Sequence, residues 1–122
     1  MNLLSDNSLK ATGNGLDLSI RLPWYRALPL STVEIKEVRV DGQTVDLAKV
    51  TLEVNGTSFG IDKLHGLTDE YWFVLDSAIL HLGFPGAARG TEYDVEATVV
   101  LYPPYIPGFS FPNQANERMR AS

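Results

Sequence analysis

The sequence predicts an all-β protein, an antiparallel two-sheet β-sandwich. Apolar residues recur at every second position in run after run, the period of a strand with one buried and one wet face. Two Asx-Gly pairs, Asp41-Gly42 and Asn55-Gly56, sit between such runs, and that dipeptide suits the positive φ of a type I′ hairpin turn. No long stretch has the 3.6-residue period of an amphipathic helix.

The first alternating run is Leu16, Leu18, Ile20 and Leu22, with Asp17, Ser19 and Arg21 between. Pro23 ends it, because proline donates no ladder hydrogen bond. Val33 and Ile35 begin the next run, and Val38 and Val40 continue it with the opposite parity. That change predicts a β-bulge near Lys36-Glu37. After Asp41-Gly42, Val45 and Leu47 lie on the returning strand. Val50, Leu52 and Val54 form a further strand, and Phe59 and Ile61 return from Asn55-Gly56. A short helical turn is expected over Asp62–Gly66. Tyr71 to Leu75 and Ala78 to Leu82 read as two strands, Gly83 to Gly90 as a loop, and Tyr93 to Leu101 as the longest strand. About eight short strands with frequent turns suit a sandwich, and both Ig-like and jelly-roll orders remain open.

Composition narrows the function. The chain has 122 residues, enough for one core. It has no cysteine, which excludes disulfides and thiolate metal sites. Ten Lys+Arg against fifteen Asp+Glu give a net charge of −5, so no general affinity for nucleic acid is expected. No basic, apolar leader opens the sequence and no run of ~20 apolar residues spans a bilayer. The expectation is a cytoplasmic protein with no membrane partner.

Two segments depart from an ordinary sandwich. Pro23 to Ser31 holds Trp24, Tyr25, Arg26, Leu28 and Leu30 along with two prolines, Pro23 and Pro29. Either this loop folds over an open end of the core, or it is a stiff patch for a partner, since Trp, Tyr and Arg are enriched at binding hot spots. Tyr102 to Pro112 holds four prolines with Tyr105, Ile106, Phe109 and Phe111. Proline stops a strand or helix from continuing, while the aromatics argue against disorder. The expected division is a sandwich over 1–102 and an extended partner-binding tail over 103–122, with Asn113 to Ser122 fraying. The candidate interface is Trp24, Tyr25, Arg26, Leu28, Tyr105, Ile106, Phe109 and Phe111.

Ile20-Arg21-Leu22-Pro23-Trp24-Tyr25-Arg26-Ala27-Leu28-Pro29-Leu30-Ser31, followed by Val38-Arg39-Val40-Asp41-Gly42 and later Pro104-Tyr105-Ile106, resembles the small (β) subunit of bacterial C-glycoside deglycosidases. The resemblance implies a hetero-oligomer with a larger α subunit. That α subunit is a TIM barrel similar to sugar isomerases and carries a divalent metal, usually manganese. It also implies a lyase reaction, cleavage of the carbon–carbon bond between a 3-oxo sugar and an aromatic aglycone such as a flavonoid. The 3-oxo-C-glycoside is then bound mainly by the partner.

The residues agree with a non-catalytic role. His65 and His81 form no His-x-x-x-His or His-x-Glu ligand pair. Ser31 has no glycine-flanked elbow, and neither a phosphate loop nor a dinucleotide fingerprint is present. No metal ligand or catalytic residue is assigned to this chain. The competing expectation is a stand-alone carbohydrate-binding or protein-interaction module that stacks ligands on Trp24 and Tyr25.

Overall fold

The computed structural model of the chain describes residues 3–12, 15–24, 26–73, 77–84, 87–103, 106 and 108–122, with backbone alone for 5–8. Tyr25 and Tyr105 therefore lie outside the described residues. The strands are β1 (Leu4–Ala11), β2 (Gly15–Arg21), β3 (Leu28–Pro29), β4 (Val33–Val40), β5 (Gln43–Thr44), β6 (Thr51–Val54), β7 (Thr57–Gly60), β8 (Tyr71–Trp72), β9 (Ser77–Gly83), β10 (Glu92–Leu101) and β11 (Phe111–Arg120). One sheet runs β1-β2-β9-β6-β7, the other β11-β10-β4-β5, and β3 and β8 form a small third pair. Every described pairing is antiparallel.

Alternation sorts the side chains. Leu16, Leu18 and Ile20 of β2 face inward with Ala78, Leu80 and Leu82 of β9, and they meet Val33, Ile35, Val38 and Val40 of β4 and Val95, Ala97 and Val99 of β10 in one core. Leu16 lies opposite Leu82 and Leu18 opposite Leu80, so the apolar sets of neighbouring strands share a face. Each fully buried aliphatic side chain contributes roughly 1.5–3 kcal/mol, which is why a one-residue slip of register would be costly.

The bulge falls where parity breaks. Glu37 pairs with Thr98 and Ile35 with Val99, leaving Lys36 as the extra residue. Both hairpin turns have the expected backbone, with Asp41 and Gly42 at φ 51° and 80°, and Asn55 and Gly56 at 55° and 79°. The helical turn expected over Asp62–Gly66 is a 3-10 helix over Ile61–Gly66.

Three expectations need correction. The strand returning from Asp41-Gly42 ends at Thr44, because Asp46 accepts a hydrogen bond from the Ala48 N–H and caps a 3-10 helix over Leu47–Lys49. The strand placed at Tyr71 to Leu75 is assigned only over Tyr71–Trp72, with residues 74–76 outside the description. Residues 113–122 do not fray. Together with Phe111 and Pro112, residues up to Arg120 pair in unbroken register with β10, from Leu101 opposite Phe111 to Glu92 opposite Arg120. Pro112 is tolerated there because β11 is an edge strand, where one side of the backbone needs no ladder partner. Strand β1, for which no alternation gave a signal, lies at the corresponding edge of the other sheet. The two edges meet: the Ala11 N–H donates to Ser122 O and the Ser122 N–H to Leu9 O, both at 3.1 Å.

Candidate functional site

The topology gathers several connections at one end of the sandwich. Arg21 at the close of β2 lies opposite Ser77 at the start of β9. Leu101 at the close of β10 lies between Val33 at the start of β4 and Phe111 at the start of β11. The described residues of 22–32, 67–73 and 102–110, all but 25, 104, 105 and 107, share this end. Backbone hydrogen bonds knit them together: Leu30 N–H to Glu70 O, Ser31 N–H to Leu67 O, and Tyr102 N–H to Thr32 O.

The five large apolar side chains found exposed among the described residues all come from these segments: Tyr71, Phe73, Tyr102, Ile106 and Phe109. Phe73 is the most open, at 52%. Tyr71 and Phe73 point outward because Trp72 between them points in and is fully buried, the alternation of an extended backbone. Beside Tyr102 lies a cleft of about 330 Å³ lined by Ser31, Glu34, Asp62, His65 and the apolar edges of β4 and the 3-10 helix. The Tyr102 hydroxyl donates to Glu34 Oε1 at 2.7 Å. That hydrogen bond, with small contributions from desolvation and the Glu34 charge, raises the phenol above its ordinary range.

The expected interface residues divide. Leu28 is fully buried within this chain and paired with Trp72 through β3 and β8. Trp24 is only 8% exposed, which agrees with the first reading of its loop, closure of an open end of the core. It is covered by Phe109 and Phe111, with ring centroids 6.4 Å and 5.4 Å away. The two segments read separately in the sequence thus cap the core together, and burial of the indole outweighs its use as a stacking platform. Ile106 and Phe109 remain exposed, Phe111 is half-buried, and Arg26 is exposed while engaged within the chain.

A second constellation stands on the outer face of the larger sheet. Asp17 on β2 lies opposite His81 on β9, and Glu53 on β6 reaches His81 from the other side. His81 Nδ1 is 2.8 Å from Asp17 Oδ1 and Nε2 is 2.9 Å from Glu53 Oε1. Both ring nitrogens therefore face acceptors, and only the imidazolium can donate to both. Burial acts to lower the pKa of His81, but the hydrogen bonds and charges of Asp17 and Glu53 outweigh it and the net shift is upward. The ionic contribution to stability is complete below the ordinary histidine value of about 6.5 and is lost as pH rises through the raised folded value. An NMR titration is expected to place the His81 inflection above that ordinary value, and Asp17→Asn with Glu53→Gln to lower it. An inflection unmoved by the double substitution would show that the carboxylates do not hold the ring.

Sequence reading missed this trio, since Asp17, Glu53 and His81 come together only once the order β2-β9-β6 is known. It also missed Tyr71, Phe73, Glu34 and Asp62. The available signal was the odd apolar residue on each side of Trp72. Among the described residues, no group of three or more His, Cys, Asp or Glu side chains is arranged to hold a metal ion. No described helix is long and apolar enough to cross a membrane.

Comparison with known proteins adds what this geometry lacks. Residues 2–105 match the family model described as C-glycoside deglycosidase beta subunit. The 3'-dehydrocarminate deglycosidase beta subunit of a Microbacterium species is 41% identical over 106 residues, 86% of this chain and 79% of that protein. The C-glycoside deglycosidase beta subunit of Microbacterium trichothecenolyticum is 36% identical over 104 residues, covering 85% and 79%. One from Arthrobacter globiformis is 35% identical over 89 residues, covering 73% and 68%. With a matched region that runs from β1 through the cleft to Tyr102, this chain belongs to the C-glycoside deglycosidase beta subunit family.

Proposed function

We propose that this chain is the non-catalytic small subunit of a C-glycoside deglycosidase, bound to a larger TIM-barrel subunit that holds the reacting groups. The observation that carries this reading is the family match, joined to five large apolar side chains that are exposed among the described residues. Large apolar side chains exposed together at one end of a small domain suit a contact with another molecule. The chain's own acid–base inventory points the same way. His81 has both nitrogens committed to carboxylates, so neither is free to take a proton from a substrate.

The reaction we propose for the complex is an elimination. A ketone at C3 of the sugar acidifies the C2 proton, and a base on the larger subunit removes it. The electron pair forms the C1=C2 double bond as the C1–aryl bond breaks, and the released aryl carbon takes up a proton. A lyase of this kind on a 3-oxo-C-glycoside, such as that of a flavonoid, agrees with one relative's name, which specifies a 3'-dehydro substrate. The divalent metal that the resemblance assigns to the larger subunit would stabilise enolate charge there. Residues of this chain form no set that fits it among those described, and no step is assigned to them. Their part is to cover apolar surface on the barrel and stiffen loops at its pocket, where small misplacements cost about a hundredfold in rate. The site of action we propose is cytoplasmic.

Co-expression with a candidate sugar-isomerase-like large subunit tests this. The expected result is co-elution as a defined hetero-oligomer, with elimination of a 3-oxo-C-glycoside falling at least about tenfold for the larger subunit alone. Complexes carrying His81→Gln should keep kcat within about twofold. Full activity without this chain, or failure to co-elute, would refute the subunit reading. Loss of kcat in an intact His81→Gln complex would refute the non-catalytic role.

A further inference from the structure

We infer that the larger subunit docks on the end of the sandwich bearing Tyr71, Phe73, Tyr102 and Phe109, and that the cleft beside Tyr102 receives one of its arginines. This rests on the subunit reading above and names the surface that reading requires.

The cleft is an acceptor site. Glu34 and Asp62 bring two carboxylates to it, and no Lys or Arg lines it. Glu34 Oε1 is taken by the Tyr102 hydroxyl, which fixes both side chains and leaves the other Glu34 oxygen and the Asp62 carboxylate unused by that bond. Ser31 and His65 also line the cleft, and its two carboxylates suit an incoming donor with positive charge. A guanidinium fits better than an ammonium, because its planar fork pairs with a carboxylate and its face stacks on an aromatic ring. The half-exposed ring of Tyr102 stands at the same cleft.

The surroundings suit a protein rather than a small molecule. Backbone hydrogen bonds tie the cleft wall at Ser31 to Leu67, and Leu30 to Glu70, beside outward-facing Tyr71. A charged pocket next to exposed aromatics is the anatomy of a hot spot, with apolar contacts excluding water around the ion pair. Every residue lining the cleft, together with Tyr71 and Phe73, lies within the span that matches the family of beta subunits. The family's description as a beta subunit implies a different companion chain, which favours a heterologous partner over a second copy. Gly83 lies at the opposite end of the sheet, where it pairs with Gly15.

The test uses the full chain titrated with the purified larger subunit, followed by calorimetry and by light scattering after size exclusion. Phe73→Ser with Phe109→Ser should raise Kd roughly 100-fold, and Asp62→Lys at least roughly tenfold. Glu117→Lys, on an exposed site in the far half of β11, should stay within about twofold. Wild-type Kd should weaken with added salt, a readout that needs no variant. Circular dichroism melts confirm that each variant is folded. If wild type binds but either the Phe pair or Asp62→Lys leaves Kd within about twofold, the docking face is wrong while the subunit reading stands. A salt-independent wild-type Kd removes the arginine. A homodimer of this chain broken by Phe73→Ser would make a second copy the occupant and overturn the inference. No binding by wild type removes the subunit reading itself.

Discussion

Gly15→Ala is expected to destabilise the chain by about 3 kcal/mol or more, measured as a lower midpoint in urea. A β-carbon at Gly15 would lie 1.9 Å from the carbonyl oxygen of Leu82 and 2.8 Å from the nitrogen of Phe84. Both obstacles are backbone, so no rotamer change relieves them. The strands must separate where Gly15 pairs with Gly83, at the end of the β2–β9 ladder that brings Leu16, Leu18, Leu80 and Leu82 to the core. Against a total stability of about 5–15 kcal/mol for a domain of this size, that is a large fraction. Gly83 is the built-in control. It is the cross-strand partner of Gly15, has no positive φ and has open space where its β-carbon would go. Gly83→Ala should therefore shift the midpoint little. Equal effects from the two would mean that lost flexibility, rather than the clash, is being measured.

Trp72→Ala should cost about 3–5 kcal/mol, because a large, fully buried ring is removed and the space it leaves closes only in part. Trp72 sits in a two-residue strand whose partner, Leu28, is also fully buried. A ladder that short contributes little by itself, so the indole is what anchors the segment. The variant should then do two things at once. It lowers stability in denaturant, and it loosens the backbone that aims Tyr71 and Phe73 outward, so binding of the larger subunit weakens as well. Trp72→Phe keeps an aromatic plug and should recover most of both. Lost binding with unchanged stability would instead place the indole at the interface.

The sandwich was legible wherever one face of a strand is apolar and the other polar. β2, β4, β6, β9 and β10 carry that signal plainly, and the parity break at Lys36 located the bulge. β11 was not legible. Asn113, Gln114, Asn116, Glu117 and Arg118 give no alternation, and only Met119 and the following Ala121 are buried. Side chains across the ladder hold it instead: Asn116 donates to Glu96, and Arg118 to Glu92 and Asp94. Cross-strand polar pairs stabilise a strand by register, which composition does not show.

The candidate face was legible only in part, for a related reason. An exposed aromatic and a buried one have the same letter. Trp24 and Phe109 read alike in proline-rich segments, yet one caps the core and the other stays open. The odd-even setting of Tyr71, Trp72 and Phe73 was available, but which parity faced inward depended on β3 lying alongside. The acceptor cleft joins β4, the 3-10 helix over Ile61–Gly66 and the residue after β10. No local pattern connects those three.

The bonds between Ala11, Leu9 and Ser122 tie stretches separated by nearly the whole polypeptide. Among the described contacts these join some of the most distant segments, so closing that flank carries a loop entropy that local hairpins do not. Until it closes, both sheets keep a raw margin of unpaired amides, the kind of surface on which nascent chains stick to one another.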